Sequence, residues 1–174
     1  VSGKCRAFGI LKRRWQLPTL LLLVASLSLG AATAQKADRL VVEKAARRLM
    51  LFHKGQVLAT YHVALGRQPR GAKQCQGDNR TPEGLYVIDS RNAQSRYHRS
   101  LHVSYPNRAD LAAAKAKGCR PGGDIMIHGL PNGYRWTGPG RPGDWTLGCI
   151  AVLDDEIEEI WRLVPNGTPI EIKP

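Results

Sequence analysis

The stretch Asp124–Val152, DIMIHGLPNGYRWTGPGRPGDWTLGCIAV, decides how the rest of the chain is read. It opens with a short apolar strand signal, Ile125-Met126-Ile127, that delivers His128-Gly129. It closes with a second strand signal, Cys149-Ile150-Ala151-Val152, preceded by Gly148. Between them, Leu130 to Trp145 carries four glycines, three prolines and two tryptophans and has neither a helical nor a strand period. Loops beyond about 12–15 residues are uncommon in compact domains and tend to be functional or disordered. A thiol and an imidazole at the ends of two strands, joined by a Pro/Gly-rich lid, form the pattern of a cysteine nucleophile and its base. A free thiol titrates near ~8.5 and attacks as the thiolate, so it needs a neighbour to take its proton. Gly148 lets backbone N–H groups approach a substrate carbonyl, as an oxyanion hole requires. Taken alone, the same cysteine reads equally well as a small core hydrophobe.

Outward from this stretch, the N-terminal end has a different character. Lys4, Arg6, Lys12, Arg13 and Arg14 form a basic segment without an acidic residue, and Leu17 to Leu29 is apolar apart from Pro18, Thr19 and two serines. Ala32-Thr33-Ala34 supplies the small-x-small pattern of a signal-peptidase site. The apolar core is short for a spanning helix, so residues 1–34 read as a signal peptide cleaved after Ala34. An uncleaved anchor is the alternative, and in either case the membrane is involved only through this segment. The domain proper is placed at 38–173, exported to the periplasm or cell wall.

Beyond the leader, 21 Lys+Arg face 14 Asp+Glu, a net charge of about +7. A basic exported domain suits an anionic polymer such as a cell wall. The basic residues are scattered and no nucleic-acid motif is present, so nucleic acid is not a predicted partner. The cysteines here are Cys75, Cys119 and Cys149. In an oxidising compartment an odd count suggests one bridge and one free thiol. Cys75 and Cys119 lie in polar, turn-like contexts and are the candidate disulfide, with two free surface thiols as the alternative. The five histidines make no ligand spacing with the cysteines, so neither a metal nor any other cofactor is predicted.

The remaining pattern is mainly strands. Apolar runs at 40–43, 49–52, 57–65, 85–88 and 101–105 read as strands, with His53-Lys54-Gly55-Gln56 as a turn. Residues 67–80 read as a polar surface loop, Thr81-Pro82-Glu83-Gly84 as a turn, and Ser90 to Arg99 as irregular. Asn107 is placed to cap a helix over 108–117, ended by Gly118. Asp154-Asp155-Glu156 begin a second helix, where the macrodipole favours negative charge. Its apolar face is Ile157, Ile160, Trp161 and Val164. Residues 168–172 form a closing strand. The prediction is a mainly β domain with two short helices.

The order of GDNRTPEG (77–84), SYPN (104–107), IMIHG (125–129) and DWTLGCIAV (144–152) resembles the L,D-transpeptidase catalytic domain family, the YkuD type, and within it a YafK- and ErfK-like branch of exported proteins. The resemblance implies a β-sandwich-like scaffold and acyl transfer on peptidoglycan stem peptides through a thioester. It implies Cys149 as nucleophile, His128 as general acid and base, and the backbone carbonyl of Gly129 as the group orienting His128. The oxyanion donors it implies are the N–H groups of Leu147, Gly148 and Cys149. Candidate substrate contacts are Thr146, Tyr105, His102, Arg135 and Trp145, while Tyr134, Trp136 and Trp145 offer rings to stack on sugar or peptide. The chain departs from the family pattern at Leu147, often histidine, and at Ala151, often Asn or Arg. The implied acceptor is an amine on another stem or an outer-membrane lipoprotein. Two alternatives stand beside this reading: an L,D-carboxypeptidase or cross-link hydrolase, and a non-catalytic cell-wall-binding module.

Overall fold

The structure is a computed structural model that describes residues 1–3 and 35–174. The predicted leader and its cleavage point therefore lie, but for the first three residues, outside the described residues. Ten elements follow in chain order: β1 (Arg39–Glu43), β2 (Arg48–His53), β3 (Gln56–His62), β4 (Gly84–Ser95), β5 (His98–Val103), α1 (Arg108–Ala116), β6 (Met126–His128), β7 (Ile150–Ala151), α2 (Asp154–Leu163) and β8 (Pro169–Lys173). The strands form one eight-stranded sheet in the order β3-β2-β1-β8-β4-β5-β6-β7. The predicted class, mainly β with two helices, is the one observed.

Local chemistry sets each part of this order. Lys54 and Gly55 both have positive φ, +49° and +80°, the backbone a two-residue hairpin turn needs. They fold β2 antiparallel onto β3. Leu40, Val41 and Val42 are all buried, so β1 is covered on both faces. It pairs antiparallel with β2 and parallel with the last strand, β8. β4 then serves two neighbours. Its residues Gly84–Val87 pair with β8, and from Ile88 onward it pairs with β5 through a shifted register. The sheet turns at that point.

Two sequence expectations are corrected here. Ser90–Ser95 continues β4 and is not irregular. Its polar residues hid the strand because most of them are exposed, and pairing with β5 holds it in place of core burial. The run at 57–65 also divides: β3 ends at His62, and the backbone of Ala64 then exchanges hydrogen bonds with Ala151 in both directions, at 2.9 and 2.8 Å. The chain following one edge strand thus reaches the other edge, and the sheet curls around its core. Thr81–Glu83 runs straight into β4 without the predicted turn.

The core collects fully buried residues from nearly every strand, among them Leu40, Leu49, Leu51, Ile88, Leu101 and Ile127. Ile157 and Ile160 add the apolar face of α2, which packs on β5. Ile127 and Ile150 are direct partners across β6 and β7 and are wholly buried. Burying such a side chain is worth about 1.5–3 kcal/mol. These two residues therefore fix the strands that carry the histidine and the cysteine. α1 begins where Asn107 accepts hydrogen bonds from the N–H groups of Ala109 and Asp110, and Asp110 accepts in return from the N–H of Asn107.

Candidate active site

β6 and β7 run parallel, with Ile127 opposite Ile150 and His128 opposite Ala151. Cys149 lies two residues before Ala151, and alternate residues of a strand share a face. The register therefore sets thiol and imidazole on one side of the sheet, and both line a cavity of about 750 Å³. His128 is 3% exposed, and its Nδ1 lies 2.7 Å from the carbonyl oxygen of Gly129. A carbonyl only accepts, so Nδ1 carries the proton and Nε2 is left as the basic nitrogen.

The Cys149 thiol donates to the Asp124 carbonyl oxygen at 3.4 Å, and among the described residues no hydrogen bond joins it to His128. Burial pushes the thiol above its ordinary pKa; the Met126 N–H and the Lys73 ammonium act in the other direction, and Asp124 reinforces the rise. Burial likewise pushes His128 below its ordinary value, against a smaller opposing effect of the Gly129 hydrogen bond. Both shifts favour the uncharged form.

The turn before the cysteine is braced internally. Thr146, itself buried, donates through Oγ1 to the Cys149 carbonyl at 2.7 Å and accepts from the Gly148 N–H at 3.1 Å. Two expectations are affected. Thr146 lines the cavity, as expected of a candidate substrate contact, but its hydroxyl is spent on shaping this turn. Gly148 N–H is already bound and so is not a free oxyanion donor, whereas the N–H groups of Leu147 and Cys149 have no partner among the described residues. Gly148 is needed for its shape: φ is +137°, and a Cβ would stand 2.7 Å from the Arg80 carbonyl oxygen. At Gly66, whose Cβ would fall 2.2 Å from the Asn79 carbonyl oxygen, the same loop presses on the same turn.

That loop, residues 67–80, forms a wall of the cavity and is not a passive surface segment. Asp78 organises it by accepting from the backbone N–H groups of Gln74, Cys75 and Arg80 and from the Lys73 ammonium at 2.9 Å. Partial burial would raise the Asp78 carboxyl, yet these donors together hold it below the usual carboxylate range. Lys73 is 7% exposed and also donates to the Cys75 carbonyl. Cys75 is joined to Cys119 by a disulfide, which leaves Cys149 as the free cysteine of the described residues.

Aromatic rings close the other side. Tyr97 lies 4.5 Å from the His128 ring, and Trp145 meets that ring edge-on at 5.6 Å. Trp145 lines the cavity. Three other candidates do not. Tyr105 is buried, and its hydroxyl donates to the Pro121 carbonyl. His102 pairs with Asp89 at 2.6 Å. Arg135 is exposed in the lid. The first two are structural and the third faces solvent, because proximity in sequence to a motif does not fix the direction of a side chain. Sequence reasoning missed Tyr97, Lys73 and Asp78. Only Asp78 had a signal, an Asp-Asn pair of the kind that folds loops on themselves.

A mainly β sheet curled on itself, with a histidine and a cysteine delivered to one cavity by adjacent parallel strands, defines the class: the chain belongs to the L,D-transpeptidase catalytic domain family, whose family model matches residues 37–172. Among curated proteins it is similar to YafK of Escherichia coli (strain K12), a provisionally named L,D-transpeptidase, at 30% identity over 114 residues. That alignment covers 64% of this chain and 39% of YafK, so the chain matches about two fifths of its relative's length. Two solved structures share the fold. The helical cell shape determining protein Pgp2 from Campylobacter jejuni is 22% identical with a TM-score of 0.60, over 81% of this chain and 49% of Pgp2. Bd1075 from Bdellovibrio bacteriovorus is 26% identical with a TM-score of 0.52, over 80% of this chain and 48% of that one.

Proposed function

We propose that the chain is a cysteine L,D-transpeptidase that acts on peptidoglycan stem peptides through a thioester acyl-enzyme. The observation that carries this reading is the shared cavity of Cys149 and His128, with the His128 tautomer set by Gly129. As substrate enters, His128 Nε2 takes the thiol proton and the sulfur adds to the carbonyl carbon of the donor stem. The N–H groups of Leu147 and Cys149 stabilise the resulting oxyanion. The C–N bond then breaks, the imidazolium gives its proton to the departing amine, and the acyl group remains on sulfur as a thioester. An acceptor amine, deprotonated by the same imidazole, attacks the thioester, and the thiol is released. The acceptor is a second stem or a lipoprotein; water in its place makes the enzyme an L,D-carboxypeptidase or hydrolase. Gly148 shapes the turn, and no cofactor takes part in these steps.

The setting belongs to the same proposal. Residues 1–34 direct export, the domain at 38–173 works in the periplasm or cell wall, and the net positive charge favours an anionic polymer. The test is intact-mass measurement after incubation with a carbapenem. The expected outcome is a single adduct on the wild-type chain and none on Cys149→Ala; an unmodified wild-type chain under reducing conditions overturns the proposal. Muropeptide product analysis with and without an amine acceptor then separates transfer from hydrolysis.

A further inference from the structure

Behind Trp145 lies a second cavity, of about 390 Å³, walled by Leu130, Pro131, Tyr134, Trp136, Pro142 and Trp145. Its volume falls in the range of roughly 300–1,000 Å³ typical of small-ligand sites. Trp145 lines this cavity and the catalytic one alike. A substrate that spans Trp145 would place one group here and another beside Cys149. The two cavities differ in charge. The catalytic cavity is lined by Arg67, by Lys73, which is paired with Asp78, and by Asp124. The second has no basic residue, and its one carboxylate is Asp144. That carboxylate is held by the Arg47 guanidinium at 2.7–3.1 Å and by the Leu65 N–H at 2.9 Å, which braces this end of the lid.

Three aromatic rings, those of Tyr134, Trp136 and Trp145, line this cavity. The Trp136 indole N–H is committed to the Gly140 carbonyl at 3.1 Å, and Tyr134 is half exposed at the rim. Flat aromatic faces between prolines attract the C–H face of a pyranose and give an anionic peptide no cation to pair with. Resting on the stem-peptide reading above, we infer that this cavity binds an N-acetylhexosamine ring of the glycan strand that carries the donor stem. Charge divides the substrate: Arg67 in the catalytic cavity faces the carboxylate-bearing peptide, and the aromatic cavity, which has no basic residue, takes the neutral sugar.

The probe is the neutral N-acetylglucosamine tetramer, titrated calorimetrically into the Cys149→Ala chain. Acylation plays no part in this measurement, so failure of the sugar site and failure of the enzyme assignment are separable. The expected result is saturable binding, weakened about tenfold by Trp136→Ala and by Tyr134→Ala and retained by Trp136→Phe. Absence of binding up to about 10 mM, or binding that Trp136→Ala leaves intact, overturns the inference. In turnover assays the disaccharide-linked tetrapeptide should show a higher kcat/KM than the free tetrapeptide, and Trp136→Ala should erase that preference. Equal kcat/KM for the two substrates on the wild-type chain overturns it as well.

Discussion

At the scale of single residues, burial disfavours the charged form of both His128 and Cys149. His128 has to be neutral to accept the thiol proton, and its pKa lies below the ordinary ~6.5. The acylation rate should therefore hold its plateau down through that ordinary value and fall only at lower pH. A limb centred above pH ~6.5 would contradict the burial seen here. The stability linkage has the same sign: the unfolded chain takes up the His128 proton first as pH falls, so this contribution is complete above ~6.5 and is lost on acidification. Thr146 provides a second test. Thr146→Val leaves the buried Gly148 N–H without a partner, at a cost of about 1–3 kcal/mol. It should lower both the melting temperature and the acylation rate, while Thr146→Ser keeps both near wild type. That Cys149 and His128 meet in one cavity was legible in the sequence, because thiol and imidazole stand at strand ends beside glycines. The roles of Thr146, Tyr97 and Lys73 were not, since they depend on which way a side chain turns once the sheet has curled. Tyr105, His102 and Arg135 were misplaced for the same reason.

At the scale of elements, the wall loop 67–80 and the start of β4 rest on a buried charge. Lys44 is 2% exposed and donates to Glu83 at 2.7 Å, to the Gly71 carbonyl at 2.7 Å and to the Thr81 carbonyl at 3.1 Å. An ammonium taken out of water needs its counter-charge. Glu83→Gln should destabilise by about 3 kcal/mol, the low end for breaking a buried pair because Glu83 is 21% exposed. Urea unfolding measures this, and a loss below about 1 kcal/mol would show that the two carbonyls suffice. The residue pattern predicted a turn at Thr81–Gly84 because Pro and Gly stood at turn spacing. The structure uses Gly84 to open a strand, and Thr81 accepts the Gly66 N–H across to the site. Strands with buried alternate residues were legible, as were both helices and the Asn107 cap of α1. β4 beyond Ile88 was not, because backbone pairing holds it and leaves no hydrophobic period to read.

For the whole molecule, the folding problem is to bring distant segments to one cavity. β8 inserts between β1 and β4, and the backbone after β3 reaches β7 through Ala64 and Ala151. Sequence periodicity carries no record of such pairings; only the motif order of the family implied them. The bridge between Cys75 and Cys119 does similar work, linking the wall loop to the end of α1 across 44 residues. The Gln76 N–H donates to the Arg120 carbonyl at 2.7 Å beside it. Closing a loop of that length removes unfolded-chain entropy worth about 4 kcal/mol, an upper figure because the freed loop can relax. The double variant Cys75→Ser, Cys119→Ser should thus lose about 2–4 kcal/mol in urea unfolding. Acylation of Cys149 by a carbapenem should slow in the same variant, since the loop positions Lys73 and Asn79 in the cavity lining. The two readouts separate the roles of the bridge. A stability loss with unchanged acylation would mean that Asp78 alone holds the wall in register, whereas slower acylation at equal stability would mean that the bridge sets the geometry of the site.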